Sequence, residues 1–290
     1  MYRALYQIAG ISVTVIASIE TEDNAAFSVY RRKGNELPET DEQYEILLME
    51  TDNLPQPQGK CVFQNEWNLV CEGLPPIHYF RIPGRRQICA WDLLETGTHK
   101  EIHYLAAYGS YFKDSVGVFN AAGFERVLYH FRKYLFHCSY VEYKERAVLF
   151  TAPSGGGKTT QGELWEKYAD ARMVNGDRAA LEINEEGVLC HGLPIAGSSG
   201  IFLDRSMQAA AIVTLEKAGS NSICRLSGKD AVYAVFSQLT VNMWDKNFVE
   251  SAFDFAITVV QRIPIYRLAC TISSEAVDIT REQVERILRT

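Results

Sequence analysis

The chain of 290 residues has no Cys-x-x-Cys pair, no surplus of basic charge, and no apolar run approaching the roughly 18–20 residues of a membrane helix. Each absence removes a class of function. Seven cysteines lie scattered at positions 61, 71, 89, 138, 190, 224 and 270. An odd number without paired spacing reads as reduced, mostly buried thiols. The opening Met-Tyr-Arg-Ala-Leu-Tyr lacks a signal-peptide pattern, so a cytoplasmic location without membrane attachment is the expectation. A formal charge of −7 argues against a large basic surface for nucleic acid. Two short basic clusters, Tyr30-Arg31-Arg32-Lys33 and Arg81 to Arg86, read first as solvated loop ends and second as contacts for an acidic partner. No internal repeat or low-complexity tract occurs. With 47% hydrophobic and 22% charged residues, the chain can fill one large core or two modest ones, and long disorder is not expected.

The first hundred or so residues read as β-rich. Ile8 to Ile19 is dense in Ile, Val and Thr, and shorter runs follow at 26–30, 44–49, 60–70 and 78–82, separated by Gly, Pro, Asn and Asp. Their spacing predicts an antiparallel sheet or small sandwich rather than βαβ units. From Phe119 to Leu135 the period becomes helical, with Phe124, Val127, Leu128, Phe131, Tyr134 and Leu135 three and four apart. A domain boundary is therefore expected near 119, giving an N-terminal β-rich domain over 1–118 and an α/β domain over 119–290. In the second, strands are expected at 137–143, 147–151, 171–174, 179–183, 187–191, 208–216 and 265–272. Helices are expected after 160, over 229–240 and over 246–262. Thr280 and Gln283 read as the capping box of a last helix.

Residues 152–160 carry the strongest signal: Ala-Pro-Ser-Gly-Gly-Gly-Lys-Thr-Thr, directly after the apolar run Ala147–Thr151. A buried strand followed by a glycine-rich loop ending in Lys-Thr is suited to hold nucleotide phosphates. The backbone amides of Ser154, Gly155, Gly156 and Gly157 can turn inward around phosphate oxygens. Lys158 adds a point charge at the β and γ phosphates, and Thr159, with Thr160 beside it, offers a hydroxyl to Mg²⁺. The following helix brings its N-terminal dipole to the same place. Relative to Gly-x-x-x-x-Gly-Lys-Ser/Thr, only the first glycine departs, as Ala152.

Three polar positions accompany the loop. Asp177, in Asn175-Gly176-Asp177, lies about twenty residues beyond Lys158 and reads either as a metal ligand or proton acceptor, or as an ordinary turn residue. His137 opens the strand preceding the loop strand and reads as structural unless the strand register brings it to the phosphate end. Glu216 closes the apolar run 209–215, as a Walker B acid would, or as the solvated end of a strand.

These residues resemble the HPr kinase/phosphorylase family and its fold relative, ATP-dependent phosphoenolpyruvate carboxykinase. In that kinase family a His lies fifteen residues before the first loop position, as His137 does before Ala152, and an Ala-Asp-Asp-x-Val segment follows the loop helix, where this chain has Val174-Asn-Gly-Asp177-Arg-Ala179. Gly192-Leu-Pro194-Ile-Ala-Gly197-Ser-Ser199 looks like the Gly-x-Pro-Trp-x-Gly-Ser loop of kinase homologues, with Ile195 in place of Trp. Lys158-Thr159-Thr160 is closer to the carboxykinase version. The resemblance spans about residues 130–278. One departure stands out, because the first acid of the family pair is Gly176 here.

The resemblance implies a P-loop kinase domain of the HPr kinase/phosphoenolpyruvate carboxykinase type behind the β-rich domain, using ATP and Mg²⁺. It implies transfer to a hydroxyl, that of a serine on a peptide or small protein. Lys158 would stabilise the transferring group and Thr159 would position the metal. Asp177 would be the base or a second metal ligand, with His137 tuning it. The family forms rings, so a homo-oligomer is compatible. With one acid missing, the alternatives are a nucleotide-binding adaptor without chemistry and an NTPase of another P-loop class using Glu216. The latter lacks both a clear Walker B Asp and an Asn-Lys-x-Asp segment.

Overall fold

The computed structural model describes residues 1–33, 40, 42–82, 84–85, 87–95 and 97–289; Pro83 and Arg86 of the second basic cluster lie outside the described residues. The chain is a mixed α/β protein with two large mixed sheets, divided into two compact units, Met1–Phe131 and Arg132–Thr290. Among the described residues, no helix is long and apolar enough to cross a membrane.

The first unit is built on strands β1 (Tyr2–Ile8), β2 (Ile11–Ala17), β3 (Arg31–Arg32), β4 (Gln43–Thr51), β5 (Cys61–Gln64), β6 (Asn68–Cys71), β7 (Ile77–Arg81), β8 (Ile88–Leu93) and β9 (His99–Leu105). Their order in the sheet is β3-β1-β2-β4-β9-β8-β7-β6-β5. The apolar run beginning at Ile8 is the second half of a hairpin that turns at Ala9-Gly10, both at positive φ, as a two-residue hairpin turn requires. The expectation of a purely antiparallel arrangement is corrected: β2–β4 and β4–β9 are parallel. Residues 26–30 are not a strand but helix α1 (Ala25–Tyr30), capped by Asn24, whose Oδ1 accepts the Phe27 amide at 2.9 Å. The buried positions Ala26, Phe27 and Tyr30 fall three and four apart, a helical spacing that so short a run disguises. Phe27 packs with Tyr6 and with Phe119 of a later helix. Inside the sheet, buried Asp92 meets His78 Nδ1 at 2.6 Å and Lys100 Nζ at 2.9 Å.

Helices α2 (Gly109–Phe112), α3 (Ser115–Ala122) and α4 (Phe124–His130) follow. The single helix expected over 119–135 is therefore divided. Gly123, at φ 65°, ends α3 in the left-handed conformation. Tyr134 and Leu135, which fit the helical period, belong to a strand instead.

That strand is β10 (Tyr134–His137), the first of the second unit. It is followed by β11 (Ser139–Tyr143), β12 (Arg146–Thr151), α5 (Lys158–Ala169), β13 (Arg172–Asn175), β14 (Arg178–Asn184), β15 (Gly187–Gly192), β16 (Ser206–Lys217), β17 (Ser222–Leu226), α6 (Gly228–Phe236), α7 (Lys246–Arg262), β18 (Ile265–Cys270) and α8 (Ser274–Leu288). The sheet runs β10-β14-β15-β16-β12-β11-β13, with β18 also on β16 and β17 on β18. Among the described strands of this unit, the β12–β16 and β16–β18 pairs are parallel and the others antiparallel. Trp165 of α5 and Val277 and Val284 of α8 pack on one face against Val148, Phe150, Val213 and Leu268. Near β10, Phe255 of α7 stacks on Tyr134 at 4.2 Å. The last helix starts a turn and a half before Thr280. Ser273 is its cap, while Thr280 is buried mid-helix and donates to the Ala276 carbonyl at 2.8 Å. The third residue after Ser273 is Ala276 rather than Glu or Gln, so no capping-box spacing marked the true start, whereas Thr280 and Gln283 imitate one.

Candidate functional site

The loop Ala152–Gly157 leaves the C-terminal end of β12, a central strand, and enters α5 at Lys158. Gly155 (φ 73°) and Gly157 (φ 94°) hold left-handed backbone, which any side chain would strain. Between them, a Cβ on Gly156 would come within 2.5 Å of the Ala152 Cβ and 2.8 Å of the Pro153 carbonyl oxygen. The loop is thus curled tightly on itself, with the Gly156 amide donating to the Pro153 carbonyl at 2.9 Å. Lys158 is buried, and its Nζ donates to the Ala152 carbonyl at 3.1 Å, folding the side chain back across the loop. Burial holds its pKa below the usual lysine range, and the charge of Arg178 works in the same direction against that of Asp177.

Opposite the loop, the antiparallel pairing of β10 with β14 puts His137 across from Arg178. This register brings His137 Nε2 to 3.6 Å from Asp177 Oδ1, with both side chains about a quarter exposed. Arg178 Nε lies 3.3 Å from the other Asp177 oxygen, and its Nη1 donates to Thr240 Oγ1 at 2.9 Å. Burial lowers the His137 pKa; Lys158 and Arg178 lower it further, and Asp177 opposes them. These influences favour the neutral imidazole.

The Asp177 turn is anchored by Asn175, a fully buried side chain. Its Oδ1 accepts the amides of Asp177 and Arg178, each at 2.9 Å, and its Nδ2 donates to the carbonyls of Leu193 and Ile195. One amide side chain thus ties the 175–178 turn to the 192–200 segment. Gly197, at φ 53°, lies so close that a Cβ there would meet the Asp177 Cβ at 2.7 Å. Thr159 Oγ1 donates to the Gly176 carbonyl at 3.2 Å, which connects the start of α5 to the same turn. Thr151, at the end of β12, donates to the His137 carbonyl at 2.8 Å.

Of the positions singled out from sequence, Lys158, Thr159, Asp177 and His137 gather at this one end of the sheet. Ser154 is exposed on the loop, and Thr160 lies in the first turn of α5. Glu216 stands apart in character. It is exposed, near the end of β16, and since Val213 and Leu215 face α5 and α8, strand alternation puts it on the opposite face. Sequence reasoning passed over Asn175, Arg178 and Thr240. The Asn-Gly-Asp turn was the available signal for Asn175, but Thr240 reaches Arg178 only through the tertiary fold.

Chemically, the curled loop, the buried ammonium of Lys158 and the helix start are the kinds of group that could hold a polyanion. The lone carboxylate of Asp177 with the Thr159 hydroxyl matches the sparse protein ligation of Mg²⁺, which keeps waters and phosphate oxygens as its other ligands. Among the described residues, no group of three or more His, Cys, Asp or Glu side chains could hold a metal by itself.

No protein-family model matches the chain, and no curated protein matches it. Among solved structures, the Hpr(Ser) kinase/phosphatase from Coxiella burnetii aligns over 53% of this chain and 90% of that one, with a TM-score of 0.31 and 10% sequence identity. The likeness is distant and assigns neither an activity nor a ligand.

Proposed function

We propose that this protein is an ATP- and Mg²⁺-dependent kinase that phosphorylates a hydroxyl, that of a serine on a peptide or small protein. The observation that supports this reading most is the meeting of Asp177 with His137 and Arg178 beside the loop that carries Lys158 and Thr159. A polyanion site with a carboxylate at its mouth is the arrangement phosphoryl transfer needs, since that reaction depends mainly on positioning and charge stabilisation.

In this reading the Lys158 ammonium and the amides of Ser154, Gly155, Gly157, Lys158 and Thr159 stabilise charge on the transferring group, while the Gly156 amide stays bonded to the Pro153 carbonyl and holds the loop curled. Lys158 leaves the Ala152 carbonyl to do so, exchanging a neutral acceptor for an anionic one. Thr159, with Asp177 nearby, would hold Mg²⁺, which would supply neutralisation of the phosphate charge. Asp177 accepts the proton of the attacking hydroxyl. Neutral His137 orients that carboxylate from one side, and Arg178 holds its other oxygen.

The test is incubation with Mg²⁺ and γ-labelled ATP alongside serine-bearing peptides. Label in a peptide supports the kinase. Labelled free phosphate alone would indicate an NTPase. A second reading, a nucleotide-binding adaptor, is favoured by Gly176, where no second acid is present. Calorimetric binding of nucleotide without either product would establish it, and absence of binding would end both.

A further inference from the structure

Strands β5 and β6 form the outermost hairpin of the first unit's sheet, and Cys61 of β5 is the partner of Cys71 of β6, at the end of the ladder just beyond a break in register between Cys61 and Phe63. The Glu72 amide donates to the Lys60 carbonyl at 2.9 Å. Because this bond joins the residues just outside the two cysteines, they form a non-hydrogen-bonded pair of the antiparallel ladder. In such pairs the Cα atoms lie about 4.5 Å apart with both side chains leaving the same face. A disulfide spans Cα separations of about 4.4–6.8 Å, a range that includes the spacing of such a pair. Both thiols are free.

The two sulfurs differ in access. Cys61 is exposed, and its thiol donates to the Phe63 carbonyl at 3.5 Å. Cys71 is buried with Leu69 and Tyr79, against Ile77 and Trp91. Burial raises the Cys71 pKa, and the neighbouring Cys61 thiol raises it further, as expected if the two sulfurs are close. Cys138 and Cys190 also influence each other, but both are fully buried and out of reach of a solute oxidant. Cys224, the other exposed cysteine, has Arg267 opposite it in the ladder.

We propose that Cys61 and Cys71 are a reversible dithiol–disulfide couple that locks the edge hairpin when a hydroperoxide oxidises it. The Cys61 thiolate attacks the peroxide, breaking the O–O bond, releasing water or an alcohol and leaving Cys61 as a sulfenic acid. Rotation of the Cys61 side chain away from the Phe63 carbonyl brings its sulfur over Cys71. The Cys71 sulfur then attacks the Cys61 sulfur, the S–O bond breaks, and the departing hydroxide takes up the Cys71 thiol proton and leaves as water. Two thiols are oxidised by two electrons, and one peroxide is reduced. Exposure assigns the first step to Cys61; burial and a raised pKa keep Cys71 from reacting with the peroxide directly, and its place opposite Cys61 gives it the resolving role.

The test uses the full chain carrying Cys224→Ser to remove the other exposed thiol. It is treated with hydrogen peroxide, blocked with an alkylating reagent, digested and analysed by mass spectrometry. The expected result is a cross-linked peptide pair joining Cys61 to Cys71, loss of alkylation at both, and recovery of both thiols with dithiothreitol. In Cys61→Ser, Cys71 should remain a thiol after the same treatment. Cys61 recovered as sulfinic or sulfonic acid, or in a disulfide between two chains, with Cys71 still alkylated after unfolding, would overturn the proposal.

Discussion

Ser199 fills the space that a side chain on Gly176 would need: a Cβ built on Gly176 would overlap both the Oγ and the Cβ of Ser199. The Ser199 hydroxyl is itself held by the Ala196 carbonyl at 2.7 Å. The position where the resembling family carries its first acid is therefore closed by a packed turn, and Asp177 is left as the one carboxylate of the Asn175–Arg178 turn.

Gly176→Asp should accordingly destabilise the second unit rather than complete an acid pair. Forcing a side chain into a packed turn costs about 1–3 kcal/mol. Ser199→Gly removes the obstructing atoms and should recover part of that loss in the double variant. Urea unfolding of the four proteins in the cycle measures the coupling, and additive effects would show that the two positions do not compete for one space.

Lys158→Ala should leave the fold intact and abolish nucleotide binding measured by calorimetry with Mg²⁺. If residual binding permits turnover, transfer should fall about 10²–10³-fold, as loss of one preorganised charge contact typically does. Binding at the native affinity would remove Lys158 from the site.

Asp177→Asn separates binding from transfer. Nucleotide affinity should persist while phosphoryl transfer falls about 10²–10⁴-fold, the usual worth of a general base. An independent readout is His137. Its pKa lies below the ordinary 6.5, chiefly through burial, and the Asp177 charge is what opposes the depression. Removing that charge should lower the His137 titration midpoint further in an NMR titration. A midpoint that rises instead would contradict the geometry.

Glu182 offers a prediction on stability. It accepts Lys133 Nζ at 2.6 Å and His191 Nε2 at 3.2 Å. Burial works against its charge, but these hydrogen bonds and charges hold its pKa down to about 2, against 4.5 in a free side chain. A depressed carboxylate stabilises the fold above its unfolded pKa. That contribution, about 3 kcal/mol by linkage, should disappear as pH falls from about 4.5 towards 2. Glu182→Gln should lose a comparable amount at pH 7 and flatten the acid limb of a stability–pH curve. An unchanged acid limb would dissociate Glu182 from acid unfolding.

Much of the second unit was legible because its signals are local. The apolar run 147–151, the glycines after it and the helix behind them announce a strand, a loop and a helix from neighbouring residues alone. The 246–262 helix is equally plain, since Asp245 caps it by accepting the Phe248 amide and Pro264 follows its end. The first unit was read less well, because α1 is only six residues long. Thr280 misled because a threonine followed by Gln283 imitates a cap, whereas its real role is to bond back one turn inside a buried helix.

By itself, the sequence determined the curled loop at 152–157, since only glycine adopts left-handed backbone at 155 and 157 without strain, and the charge that Lys158 places there. Whether His137 and Asp177 would meet could not be read along the chain. That depended on β10 pairing with β14 so that His137 falls opposite Arg178, and in a β-sheet a slip of one residue turns every side chain to the other face. Strand register, and the packing of Ser199 over Gly176, are settled by contacts between distant segments, so only the folded structure decided them.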